Sequence, residues 1–159
     1  MSYTKDGYST SFELTSLDDT SNFGKKIANV LRPGMAILMY GELGAGKTTL
    51  VRDICRALGW HRTCSPSFSL VNEYARARIP IAHADLYRVE SADGRDFGFD
   101  DYLDDEWVLI VEWPDRLERM DFVEAWRCEI YVDGEKRTVK IYATGQNATK
   151  ALQKLEELS

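Results

Sequence analysis

The chain has no excess of positive charge. Its 159 residues carry 20 Lys and Arg against 26 Asp and Glu, a net charge of −6, and the pI lies near 5.0. It therefore lacks the diffuse basic field that holds a protein on nucleic acid or anionic lipid, and any RNA contact must be local or borrowed from a partner. Cysteine is scarce. Cys55, Cys64 and Cys128 are odd in number, widely separated and form no CxxC pair, which argues against a disulfide framework and a zinc site and fits a reducing compartment. Long apolar runs are also missing: the longest, Met35 to Tyr40, is far too short to cross a bilayer, and Met1 to Leu14 is polar, without the apolar stretch of a secretion signal. These absences predict a soluble, cytoplasmic protein with no membrane partner. Repeats, low-complexity segments and interdomain linkers are absent as well. With 44% hydrophobic residues the chain has material for one substantial core, so a single domain spanning 1–159 is expected.

The patterning that is present alternates helix and strand. Leu17, Phe23, Ile27, Val30 and Leu31 recur at helical spacing behind the candidate caps Asp18, Asp19 and Thr20, and the run stops at Arg32-Pro33-Gly34. Met35 to Tyr40, apolar throughout, suits a strand covered on both faces. From Lys47 a second helix presents Leu50, Val51, Ile54, Ala57 and Leu58 on one face and ends at Gly59. Further strands are predicted at Phe68 to Tyr74, Ile81 to Leu86 and Trp107 to Val111. The acidic stretch from Glu90 to Glu106 reads as a short helix with loops, mostly solvated. Arg127 to Val132 and Thr138 to Tyr142 alternate around Asp133-Gly134, predicting a hairpin with a slightly long loop, and Asn147 to Leu158 closes the chain as a helix.

Between the first buried strand and the second helix lies Gly41-Glu42-Leu43-Gly44-Ala45-Gly46-Lys47-Thr48, which satisfies G-x-x-x-x-G-K-[ST] at every fixed position. Glycines let successive backbone N–H groups turn inward on an anion, and the helix that follows adds its free N–H groups and positive dipole end. Lys47 supplies a charge for the β and γ phosphates of ATP, and Thr48 a hydroxyl for Mg²⁺. The motif sits where its mechanism requires it.

Such a site also needs an acid near the metal and a group to place the attacking nucleophile. Glu112 follows the apolar run Trp107 to Val111, and Asp85 follows Ile81 to Ala84, so both stand at strand ends. Each admits two readings, a functional carboxylate beside the phosphate loop or a solvated strand-end acid. His83 reads as a packed or hydrogen-bonded core residue rather than a ligand, because no second histidine or cysteine lies at ligand spacing; His61 reads as surface. Ser65-Pro66-Ser67-Phe68-Ser69 is either a switch-like loop whose hydroxyls reach a γ-phosphate or a polar turn before a strand. Trp113-Pro114 either caps the site or covers the core, and Arg88 either reaches phosphate or makes a surface salt bridge.

Four segments in order, Gly41 to Leu50, Ser65 to Tyr74 (SPSFSLVNEY), His83 to Arg88 (HADLYR) and Val111 to Arg116 (VEWPDR), resemble the bacterial TsaE (YjeE) family, over roughly residues 12 to 145. The resemblance implies a P-loop NTPase-like three-layer α/β/α fold with a mixed, mainly parallel sheet and a C-terminal antiparallel hairpin. It also implies a cytoplasmic, weak ATPase of tRNA threonylcarbamoyladenosine (t6A) synthesis, working with TsaD and TsaB and meeting tRNA through that complex. On this chain the family's phosphate-loop positions fall on Gly41 to Thr49, including Lys47 and Thr48, its strand-end aspartate on Asp85, its metal-associated glutamate on Glu112 and the adjoining tryptophan on Trp113. Ser67 stands where the family has threonine, keeping the hydroxyl and losing a methyl, and Glu42 where it often has aspartate.

The expectation is then an ATPase in which phosphates rest on the loop, Thr48 and Glu112 share Mg²⁺ directly or through water, and Asp85 with Ser67 orients water or senses the γ-phosphate. Two other classes remain in play. A small-molecule kinase shares the loop and a strand-end aspartate, although no arginine-dense lid is evident beyond Arg76 and Arg78. A binding module would use ATP only to order its switch segment. A GTPase is disfavoured, since the chain has neither N-K-x-D nor D-x-x-G.

Overall fold

The computed structural model describes residues 7–62, 70–118 and 121–159. Seven strands, β1 (Ser9–Leu14), β2 (Ala36–Gly41), β3 (Val71–Tyr74), β4 (Ile81–Asp85), β5 (Val108–Glu112), β6 (Ala125–Asp133) and β7 (Lys136–Thr144), form one sheet in the order β1-β7-β6-β2-β5-β4-β3. Four α-helices accompany them: α1 (Leu17–Val30), α2 (Lys47–Ala57), α3 (Phe99–Asp104) and α4 (Gln146–Leu158), with 3₁₀ turns at Gly94–Phe97 and Pro114–Arg116.

Alternation along the central strands builds two cores. Ile37, Met39, Ile81, Val108 and Ile110 face the apolar stripes of α1, α2 and α4, including Phe23, Ile27, Leu50, Ile54 and Leu152. Ala36, Leu38, Ala82, Ala84, Leu109 and Val111 face the other way, onto Phe99 and partly buried neighbours such as Tyr102 and Leu103. The three-layer α/β/α architecture is therefore as expected, with one helical layer much thicker than the other. The acidic residues of the thin layer, Asp96, Asp100, Asp101, Asp104 and Asp105, lie exposed while Phe99 is buried beneath them, as anticipated.

The sheet is mixed as expected, with parallel pairing confined to its centre. β6, β2, β5 and β4 pair in parallel, whereas β1–β7, β6–β7 and β3–β4 are antiparallel. Strands adjacent in sequence and joined by short turns must return antiparallel, while the parallel ones need helical crossovers. Three local expectations require correction. The α1 cap is Ser16, whose side chain accepts from the Asp19 N–H, and Leu17 at the helix start is 79% exposed rather than part of the buried face. The β6–β7 loop is Gly134-Glu135 alone, because Asp133 pairs with Lys136, with Gly134 at φ 62° as such a tight turn demands. β1 falls within the stretch read only as a polar start: Phe12 and Leu14 are its buried side chains, and register against β7 holds it.

This topology gathers sequence-distant segments at one edge. β2, β4, β5 and β6 are parallel, and Leu14 at the end of β1 pairs with Arg137 near the start of β7. The ends of all five strands therefore point the same way, toward the glycine loop.

Candidate nucleotide site

The loop leaves β2 at Gly41 and enters α2 at Lys47. Gly44 and Gly46 adopt φ 83° and 100° with open space where a Cβ would stand, so left-handed backbone is what requires glycine there. At Gly41 the reason is proximity: a Cβ would meet the Ile130 carbonyl oxygen at 3.1 Å and the Ala45 Cβ at 3.3 Å. Glu42 and Leu43 are exposed on the outer side of the loop, Ala45 is buried, and the Ala45 carbonyl accepts from the Arg137 Nε at 3.1 Å, which pins the loop to β7.

Lys47 is only 5% exposed. Its Nζ donates to the carbonyls of Gly41 and Glu42 and sits 4.1 Å from the centroid of the Trp113 ring. Burial lowers the ammonium's pKa, opposed by the attraction of Glu112, Asp115 and Asp85. The buried ammonium is thus held by the loop's own carbonyls, within the electrostatic reach of these carboxylates. Trp113 holds its ring there from a left-handed backbone, φ 59° and ψ 50°, rare for a bulky residue. Tyr87 packs against the same ring with centroids 4.9 Å apart. Trp113 also packs against the second core, so both readings left by sequence describe it: its ring lies beside Lys47 and covers apolar side chains.

Glu112 ends β5 and is 2% exposed, so it is not a solvated strand-end acid. Its Oε1 accepts from the Thr48 Oγ1 at 2.8 Å and its Oε2 lies 2.6 Å from the His83 Nε2. Asp85 pairs across the sheet with Glu112, is half-buried, and accepts the Tyr87 N–H on Oδ1 at 3.0 Å. Burial raises its pKa; the Tyr87 bond lowers it, and the Glu112 charge raises it further. Parity explains the grouping: residues 81, 83 and 85 on β4 and 108, 110 and 112 on β5 share the α2 side of the sheet. His83 is wholly buried and hydrogen-bonded, and His61 is exposed, each as its sequence setting suggested. Arg88 is exposed and makes no ion pair with any described carboxylate. Ser67 and its neighbours Ser65 to Ser69 lie outside the described residues.

The Thr48 hydroxyl and the Glu112 carboxylate form a pair of hard oxygen donors that fits Mg²⁺, which takes one or two protein ligands and fills the rest of its shell with water and phosphate oxygens. Beside the loop opens a cavity of about 480 Å³ lined by Thr15, Ser16 and Thr20 at the β1–α1 junction, Gly46 and Thr49 of the loop region, and Arg137 of the hairpin. Sequence reasoning included the loop side of this cavity and missed its other two walls, since neither the β1–α1 junction nor Arg137 carries a motif.

A buried strand, a glycine loop, a helix and a strand-end carboxylate bonded to the loop's hydroxyl define a P-loop α/β protein of the nucleotide-binding kind. Comparison with known proteins narrows this class. The family model described as Threonylcarbamoyl adenosine biosynthesis protein TsaE matches residues 14–141, and the chain belongs to that family. Among curated relatives, the tRNA threonylcarbamoyladenosine biosynthesis protein TsaE of Aquifex aeolicus is 38% identical over 133 residues, covering 81% of this chain and 92% of its own. The protein of the same name from Synechocystis is 38% identical over 117 residues, 70% of this chain and 74% of its own. Among solved structures, Bacillus subtilis YdiB superposes with a TM-score of 0.78 over 96% of this chain and 97% of its own, at 24% identity, a likeness of fold.

Proposed function

We propose that this chain is a Mg²⁺-dependent ATPase of tRNA t6A synthesis, weak alone, whose turnover resets a complex of TsaD, which performs the carbamoyl transfer, and its companion TsaB, with tRNA met through that complex. The observation that carries the catalytic half of the reading is the 2.8 Å bond between Thr48 and Glu112, which unites the phosphate loop with a buried strand-end acid. Family membership supports the biological half.

In this reading the N–H groups of the loop and of the first turn of α2 hold the phosphates, and Lys47 exchanges loop carbonyls for β and γ oxygens. The cavity between the β1–α1 junction and Arg137 takes the nucleoside. Thr48 and Glu112 would hold Mg²⁺, which supplies charge neutralisation on the β and γ phosphates. Asp85 with Ser67 orients the attacking water or senses the γ-phosphate. The water oxygen bonds to the γ phosphorus as the bond to the β–γ bridging oxygen breaks, releasing ADP and phosphate. Positioning and charge do the catalysis, with no covalent protein intermediate.

The test is ATP hydrolysis with and without cognate TsaD, TsaB and tRNA, in wild type and in Lys47→Ala and Glu112→Ala. The partners should raise the wild-type rate, and both substitutions should abolish the stimulated rate. A rate indifferent to the partners overturns the biological assignment. Full stimulated turnover in either variant overturns the site assignment.

A further inference from the structure

We infer that His83 is a positioning residue of the nucleotide site: through Nε2 it fixes the Glu112 carboxylate so that its other oxygen faces Thr48, an inference that rests on reading Thr48 and Glu112 as the Mg²⁺ side of the site. His83 lies in the middle of β4, 0% exposed, two residues before Asp85 and on the same face of the sheet. Its Nε2 is 2.6 Å from the Glu112 Oε2, while the Glu112 Oε1 accepts the Thr48 hydroxyl at 2.8 Å. The carboxylate is therefore held at both oxygens, by the sheet on one side and by the loop on the other.

The hydrogen-bond roles follow from chemistry. The carboxylate oxygen accepts, so Nε2 of His83 carries a hydrogen. In the neutral ring Nδ1 is then the acceptor, and the Tyr74 hydroxyl, 3.0 Å away, is placed to donate to it and hold that tautomer. Tyr74 is itself held by the Trp60 ring, stacked with centroids 5.3 Å apart and planes 27° from parallel. A chain from Tyr74 through His83 to Glu112 thus runs beneath the sheet edge to the loop hydroxyl. Removing Nε2 would leave a charged oxygen at a 2% exposed position without this partner. Such a group turns away toward another donor, which spoils a hard-cation ligand.

The experiment measures Mn²⁺ binding to the ADP complex by electron paramagnetic resonance, alongside fluorescent ADP binding in EDTA. His83→Phe preserves volume and removes both ring nitrogens; it should weaken Mn²⁺ about tenfold or more while leaving metal-free ADP binding within about twofold, the size expected when an orienting partner of a ligand is lost. His83→Gln, which returns a donor near Oε2, should recover part of that loss. Tyr74→Phe should lose less in the same direction, and it keeps the question decidable if His83→Phe does not fold. In hydrolysis assays the half-saturating Mg²⁺ should rise more than the KM for ATP. Wild-type Mn²⁺ affinity in folded His83→Phe or Tyr74→Phe overturns the inference alone, as does an equal loss of metal-free ADP binding. Absence of Mn²⁺ uptake by the wild-type ADP complex overturns the Mg²⁺ reading and the inference with it.

Discussion

Asp85 shows how a site residue can be costly to the fold. Its carboxyl is half-buried at the end of β4, and burial, reinforced by the Glu112 charge, raises its pKa despite the Tyr87 N–H. Ionised Asp85 therefore destabilises the folded state at neutral pH. Asp85→Asn keeps an oxygen for the Tyr87 N–H and removes the charge, so it should raise the melting temperature at pH 7 while lowering stimulated hydrolysis by about 100-fold or more if Asp85 orients the water. The pH dependence has a definite sign. Because the folded pKa lies above the ordinary 3.8, wild type gains relative stability as pH falls through the folded pKa, and the variant's advantage should vanish below 3.8. Paired thermal melts from pH 7 to pH 3 check this; an advantage that grows on acidification would refute it. Cys128 sits at the other extreme. Burial pushes its thiol up to about 12, so it packs as a small apolar group.

Among the elements, α1 and α2 meet so closely that glycine is required between them. A Cβ on Gly24 would stand 2.7 Å from the Asp53 Cβ and 3.1 Å from the Asp53 backbone carbon, atoms that cannot swing aside. Gly24→Ala should accordingly destabilise the protein by about 1–3 kcal/mol, although alanine is the better helix former by about 1 kcal/mol. Urea denaturation would measure it, and a stabilised variant would show that the helices separate without penalty. Since α2 begins at the phosphate loop, nucleotide affinity should fall as well. Legibility differed among elements for a physical reason. β2, β5 and α2 were plain in the sequence because strands buried on both faces are uniformly apolar and α2 carries an apolar stripe. β1 was not: Ser9–Leu14 is an edge strand with two buried side chains, and its conformation is imposed by β7. The α1 cap was misplaced by two residues or more because several capping residues adjoin, and only the Ser16 bond to the Asp19 N–H chooses among them.

For the whole molecule, the parallel strands carry loop, acids and hairpin to one edge, so a nucleotide there would bridge β1, α1, α2, β5 and β7. Ligand at about 100 times its dissociation constant stabilises by about 2.7 kcal/mol, which for a chain of this size is roughly 5–10 °C in melting temperature. Mg²⁺ with ADP should produce that shift in wild type and not in Lys47→Ala; equal shifts in both would show that the ligand binds elsewhere. No helix among the described residues is long and apolar enough to cross a membrane.

The Gly41 to Thr48 loop was determined by sequence alone, because its chemistry is local: glycine backbone, one lysine, one hydroxyl and the start of a helix are contiguous. The order of the motifs also pointed to the family that comparison shows. The residues by themselves left Asp85 and Glu112 both open and only the family resemblance favoured Glu112; the contact itself belongs to tertiary structure, since Thr48 and Glu112 meet only when β5 lies beside β2. Tertiary structure alone made His83 a partner of that acid and brought Arg137 and the β1–α1 junction around the cavity. Those contacts depend on strand order and register, which are set by the burial of two cores at once and leave no trace in the spacing of any single segment.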